Sequence, residues 1–461
     1  MDHEISLRDG VIQRCYTFEE AIKVTGHGKF HYFVLCTTGV SLAALVGELI
    51  GIGYSGPSAK CDMKFTTSQQ GILNSVAFLG FVCSSHLWGF MSDTWGRQKS
   101  LRLSLLCTFI FSALSSVSIT IAMLITTRFF VGFSNQTRPR AITFASMCMT
   151  LAVVLMSLLS WAIIPMQWSF SLGFIVYTPW RFNILCIGLI SLLAFIMLGF
   201  LPESPKFLLS LGKEQIVIKV LTQIYRANNR GTRANVTSFR NVANLMWNQT
   251  WPLFRPPHLK NMLLISYLSS VLYGIAHGMN MWLPHIFNLL IDYIDDKSTM
   301  CDVIHGTMGK TEATVVEAEN NTSTTECTNI ANPLTFKMML IFGLYLLSVY
   351  VAVGIFIKWV TIKTITSVGL LASTICGAAL IWSYNFYFSY FFLCVLLSCG
   401  NFASLLGGLC QDLFPTNLKS MAVCFIFMFG RIGSVAGSNL IGLLITTNCT
   451  LVLIIYAVIL C

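Results

Sequence analysis

The chain is cut into stretches of about 20 apolar residues with hardly a charge inside them, the length a helix needs to cross ~30 Å of hydrocarbon. Barrel strands would instead give ~10-residue segments of alternating polarity. Composition agrees with helices in lipid. Of 461 residues, 55% are hydrophobic and only 10% are charged, against roughly 25% charged in a soluble domain. That is too little charge to cover a water-facing surface. The expected fold class is an all-α membrane protein.

Spans are expected at about 31–56, 71–92, 103–119, 120–133, 141–165, 182–201, 261–290, 335–357, 364–382, 386–410, 419–443 and 449–461, the fourth and twelfth being short. Segment 202–260 carries nine Lys/Arg (Lys206, Lys213, Lys219, Arg226, Arg230, Arg233, Arg240, Arg255, Lys260) against Glu203 and Glu214. Segment 291–334 carries Lys297 and Lys310 against eight acids. The positive-inside rule places the first in the cytoplasm and the second outside, with a cytoplasmic N-terminus. The expected organisation is a cytoplasmic segment 1–30, a helical bundle 31–201, a basic cytoplasmic loop 202–260 and a second bundle 261–461 that includes the outer loop 291–334. The first thirty residues mix acidic and basic side chains without an apolar core, so no removable signal peptide is expected. The membrane itself, plasma or intracellular vesicle, is left open.

Within the central loop, Ile216, Val217, Val220, Leu221 and Ile224 recur at helical spacing, which predicts an amphipathic helix packed on the inner face of the bundles. The outer loop holds Asn320-Asn321-Thr322-Ser323, two overlapping glycosylation sequons flanked by Cys301 and Cys327, two cysteines able to pair in an oxidising compartment. Asn235 and Asn248 also begin sequons but fall in the cytoplasmic loop. No Cys/His spacing resembles a metal site, and no nucleotide loop or nucleophile motif is present, so neither an enzyme nor a cofactor is expected. The net charge of +10 reflects the basic loops, and nucleic acid is not an expected partner.

Gly89-Phe-Met-Ser-Asp93-Thr-Trp-Gly96-Arg97, after the second span, resembles the G-x-x-x-D-x-x-G-R motif of the major facilitator superfamily. Locally, Gly96 permits a tight turn with φ > 0, and Asp93 can pair with Arg97 or cap a helix N-terminus. The resemblance implies a cytoplasmic latch between bundles. Arg128-Phe-Phe-Val-Gly132 resembles that family's fourth-span element, and Phe414-Pro415-Thr416-Asn417 followed by Gly430-Arg431-Ile-Gly433 resembles the entry into span eleven of its sugar-porter-like branch. Pro202-Glu203-Ser204-Pro205-Lys206 resembles the sugar-porter-like signature, with Lys in place of Arg. The stretches 18–32, 73–80 and 84–89 are similar to the synaptic vesicle glycoprotein 2-like proteins, insect members included. The resemblance implies two six-helix bundles with pseudo-two-fold symmetry, and a latch set of Gly89, Asp93, Gly96, Arg97, Arg128 and Arg431. The second bundle departs from the pattern, with Lys358, Thr361 and Ile362 where a repeated latch would stand.

Glu48 is the only carboxylate deep in any span, a candidate for a cationic substrate or a coupling proton or else a hydrogen-bonded structural group. Asn74, Trp161, Tyr273, His277, Asn280 and Asn401 are further candidates for lining a cavity, each weighed against an ordinary helix–helix contact. The expected function is alternating-access transport of a small organic or ionic solute, proton coupling included. The alternative is a non-transporting vesicle-type membrane glycoprotein that binds protein partners. One conflict remains. From Leu103 to Phe133 there are 31 residues, fewer than the 40 or so that two full spans and a turn require. The second half of span four looks omitted, which predicts a poorly packed fourth helix, low abundance and little uptake.

Overall fold

The computed structural model describes residues 5–8, 11–14, 26, 28–135, 142–228 apart from 172 and 174, 255–256, 258–291, 298–306, 332–406 apart from 358 and 404, 414, and 419–460 apart from 446. A two-stranded hairpin, β1 (Ile5–Arg8) and β2 (Val11–Arg14), precedes the helices. Six helices follow: α1 (Lys29–Met63), α2 (Thr67–Thr94), α3 (Arg97–Ser116), α4 (Ile121–Ser134), α5 (Ile142–Ile163) and α6 (Pro179–Gly199). A small hairpin, β3 (Phe170–Ser171) and β4 (Val176–Tyr177), links the last two. The short α7 (Pro205–Ser210) and the amphipathic α8 (Glu214–Asn228) come next. A further six complete the chain: α9 (His258–Leu290), α10 (Pro333–Phe356), α11 (Ile362–Ile381), α12 (Phe386–Leu397), α13 (Lys419–Leu444) and α14 (Cys449–Leu460).

Among the described residues, seven helices, with α12 continued to Ala403, are long and apolar enough to cross a membrane, and α4, α14 and the 147–163 part of α5 are shorter apolar helices. The polarity is turned outward as lipid demands. Leu189, Leu193 and Ile196 of α6 are exposed, whereas α3 buries Ser100, Ser104, Thr108, Ser112 and Ser115 against its neighbours. Small hydroxyl side chains let helix backbones approach and bond across the interface.

Within the first half α2 packs on α4, and α1 and α3 both pack on α6; within the second half α9 packs on α13 and α11 on α14. The halves meet along α2–α13 and α5–α10, with α1 against α9. The α9–α13 seam is close because Gly433 and Gly437 carry no side chain. A Cβ on either would collide with the backbone oxygen of Ser270 or Gly274.

Two expectations change here. The fourth helix is short, 14 residues or about 21 Å, but it is not poorly packed. Leu124, Arg128 and Val131 are fully buried, and a Cβ on Gly132 would strike the carbonyl of Ala77 on α2. Glycine-mediated contact seats the half-length helix against its neighbour. Second, Cys301 is bonded to Cys449 at the start of α14, not to Cys327. The helical segment 300–306 thereby lies against the end of the second bundle. Cys327, together with Asn320, Asn321, Asn235 and Asn248, lies outside the described residues.

The central amphipathic helix forms as expected. Val217, Val220, Leu221 and Ile224 of α8 are buried with Leu208 and Phe30, while Ile216 is exposed. Asn228 at its end accepts from Phe30 N (3.2 Å) and donates to Gly26 O (3.2 Å), tying α8 to the start of α1.

Candidate functional site

Glu48 and Arg128 meet inside the first bundle. α1 carries Glu48 about 22 Å from its Met63 end, and α4 brings Arg128 against it. Arg128 Nη1 stands 3.0 Å from Glu48 Oε2, and both side chains are 0% exposed. Arg128 Nε donates to Ser115 Oγ of α3 at 2.9 Å. Ser112 of α3 borders the carboxylate where Gly188 of α6 leaves room. The pair therefore joins α1, α3, α4 and α6, and the carboxylate is already engaged by a cation of its own chain.

Arg128, which the resemblance puts in the latch set, is the buried partner of Glu48. Its depth is hard to read from sequence because the fourth span is half-length, which leaves Arg128 looking terminal. Arg431 lies midway along α13, with its guanidinium carbon 5.7 Å from the Phe78 ring centroid and 5.3 Å from that of Phe81, both on α2.

The remaining latch residues gather at the α2–α3 turn. Gly89 and Asp93 lie on the last turns of α2, the Asp93 side chain being outside the described residues. Gly96 has φ +113°, the left-handed region the motif calls for, and a Cβ there would meet Glu203 Oε2 at 2.5 Å. The Glu203 carboxylate accepts from Gln98 N at 2.9 Å, capping the first turn of α3, where carboxylates are favoured. Gln98 Nε2 donates to Leu198 O and Leu201 O at 3.1 and 2.7 Å. Arg97 begins α3 beside this contact. Two motifs a hundred residues apart thus form one junction between α3 and the end of α6.

Of the cavity candidates, His277 stands where the halves meet. On α9, Tyr273 stacks on His277 (centroids 5.0 Å apart, interplanar angle 10°), and His277 lies 6.2 Å from Phe78 of α2. Asn280 follows one turn later and, like His277 and Arg431, is only partly buried. Asn74 instead binds the halves together, donating from Nδ2 to Met281 O of α9 at 3.4 Å. Asn401 sits beyond the end of α12 and donates to Leu346 O of α10 at 3.4 Å, a packing contact. Trp161 is two residues from the end of α5, 38% exposed, with Lys337 Nζ 5.9 Å over its ring.

Other polar contacts carry no motif. Asn439 of α13 donates to Ser75 Oγ of α2 at 2.8 Å, a second bond between the halves. Arg181, 3% exposed, donates to Ser116 O at the end of α3 and Ser118 O just beyond it, and pairs with Asp62 of α1 at 3.2 Å. A lone Arg at a helix start and a lone Asp at a helix end were the only signals in the sequence.

Two helical bundles facing one another across a partly charged midplane define a polytopic membrane protein of the secondary-transporter class. The chain belongs to the Major Facilitator Superfamily, whose model matches residues 33–438, a family of membrane transporters and not of enzymes. It is 24% identical to human synaptic vesicle glycoprotein 2B over 331 residues, 61% of this chain and 48% of that protein. It is 29% identical to rat synaptic vesicle glycoprotein 2A over 232 residues, 46% of this chain and 31% of that protein. The chain thus spans about half or less of the length of these relatives. Its fold is similar to the xylose transporter XylE from E. coli in a partially occluded inward-open conformation, with TM-score 0.63, 14% identity, and coverage of 94% of this chain and 98% of that one. A D-xylose-proton symporter structure gives TM-score 0.61 and 14% identity over 94% and 95% of the two chains.

Proposed function

We propose that the chain is an alternating-access transporter of a small organic solute, with bundles 31–201 and 261–461 rocking about a site beside Tyr273, His277, Asn280 and Arg431. The observation that carries this reading is the family's two-bundle fold with partly buried polar groups left between the halves at mid-helix depth. The α2–α13 and α5–α10 seams supply the surfaces on which the bundles turn, and Asn74 and Asn439 are the bonds that such a motion exchanges.

We further propose that Glu48 is the coupling group. A proton on its carboxylate weakens the pair with Arg128 and loosens the α1–α4 contact, linking protonation to bundle movement. The basic loop 202–260 and the start of α1 are assigned to the cytoplasm, and the disulfide-bonded ends of α1, α14 and segment 300–306 to an oxidising exterior or lumen. Uptake by reconstituted full-length protein tests the reading: saturable accumulation driven by a pH gradient and lost in Glu48→Gln supports it. Gradient-independent uptake in wild type removes the coupling role.

The 14-residue α4 favours a second reading, a membrane glycoprotein that binds partners without transporting. A half-length helix exposes backbone to lipid unless its neighbours shield it. Absence of uptake for every solute tried, with a folded and inserted protein, would leave that reading standing.

A further inference from the structure

We propose that Arg431 is the anchor for an anionic group, so that the substrate is an organic acid; this rests on the transport reading above. A guanidinium at mid-membrane depth is costly unless a counter-charge accompanies it. Arg431 lies about 20 Å from the Leu444 end of α13. α9 and α13 contain no Asp or Glu, and α2 contains only Asp93 near its end. Glu48, the one carboxylate at comparable depth, is committed to Arg128 at 3.0 Å. The ion pairs Arg128–Glu48 and Arg181–Asp62 do not include Arg431.

Phe78, Phe81 and Tyr273 stand around Arg431. The Phe78 and Phe81 faces attract a cation, but such contacts return only a small part of the cost of removing it from water. Neither ring can accept a hydrogen bond in the plane of the guanidinium fork. A carboxylate can, in bidentate geometry, and it neutralises the charge. Arg431 is only partly buried, as are His277 and Asn280. His277 and Arg431 border the same Phe78 ring from α9 and α13. Opening or closing the α2–α13 seam changes the Arg431 surroundings directly, which couples occupancy to the moving interface.

The test uses the purified full-length chain and four probes at equal concentration: benzoate, benzyl alcohol, benzylammonium and chloride. Thermal unfolding reads binding. At ten times its dissociation constant, benzoate shifts the folding equilibrium roughly elevenfold, while the neutral and cationic isosteres shift it far less. A chloride shift equal to that of benzoate reduces the site to a counter-ion site and overturns the organic-acid assignment. Arg431→Lys keeps the charge but loses the fork, and weakens benzoate binding about tenfold; Arg431→Gln abolishes it. Equal shifts by all three aromatic probes, or a benzoate shift unchanged in Arg431→Gln, overturn the proposal. If Arg431→Gln does not fold, the wild-type panel decides alone, because lack of preference for benzoate over benzyl alcohol is itself fatal. Benzoate-selective binding without proteoliposome uptake of any organic acid leaves this site and removes the transport reading. Uptake of a neutral solute without anion-selective binding does the reverse.

Discussion

Arg128 Nη1 lies 3.0 Å from Glu48 Oε2 with both side chains fully enclosed, so the sole deep carboxylate and a cation eighty residues away form one unit. Removing one member of a buried pair leaves an uncompensated charge, at a cost of about 3–5 kcal/mol, whereas replacing both with apolar groups is often near neutral. Glu48→Leu and Arg128→Met should each lower the denaturation midpoint sharply, and the double variant should recover most of the loss. A double variant as unstable as the sum of the singles would contradict the pairing.

Gly433 should tolerate no side chain. Its missing Cβ leaves space for the Ser270 backbone on α9, and neither helix axis can yield without breaking the bonds of Trp282 Nε1 to Ser438 O and Ser269 Oγ to Ile426 O. Gly433→Leu is expected to destabilise by about 3 kcal/mol or more and to reduce folded protein in size-exclusion profiles. The Leu at exposed Gly354, where a Cβ meets nothing, is the control and should be silent.

The Cys301–Cys449 bond closes a loop of 148 residues and should contribute roughly 2–5 kcal/mol. Non-reducing peptide mapping should recover the 301 and 449 peptides together. Recovery of 301 with 327 instead would restore the pairing that the flanked sequon first implied.

Glu203 caps the first turn of α3 from the far end of α6. Glu203→Ala should cost about 1 kcal/mol, as a lost helix cap does, and loosen the α3–α6 junction. Faster proteolysis within the α2–α3 turn than in wild type is the expected result; unchanged cleavage would show the contact to be incidental.

Glycan attachment reports orientation independently of these contacts. Asn320→Gln with Asn321→Gln should abolish the glycosidase-sensitive gel shift, while changes at Asn235 and Asn248 leave it intact. The opposite result inverts the topology.

Much of this protein follows from the sequence alone, because lipid leaves few options. Apolar blocks must be helices there, since backbone polar groups have no water to bond. Loop charge sets an expected orientation, and the α8 stripe at 217–224 declares its buried face. Gly96 and Glu203 are legible as motif members. Tertiary structure alone decided what each charged residue meets. Arg128 reads as terminal in a shortened span, yet packing carries it to Glu48; Arg431 reads as one more latch residue, yet it faces Phe78 and Phe81 between the halves. Cys301 chose Cys449 over its sequence neighbour because the fold brings α14 beside segment 300–306. Periodicity along one helix tells which face is buried; it carries no information on which other helix, at what depth, comes to cover that face.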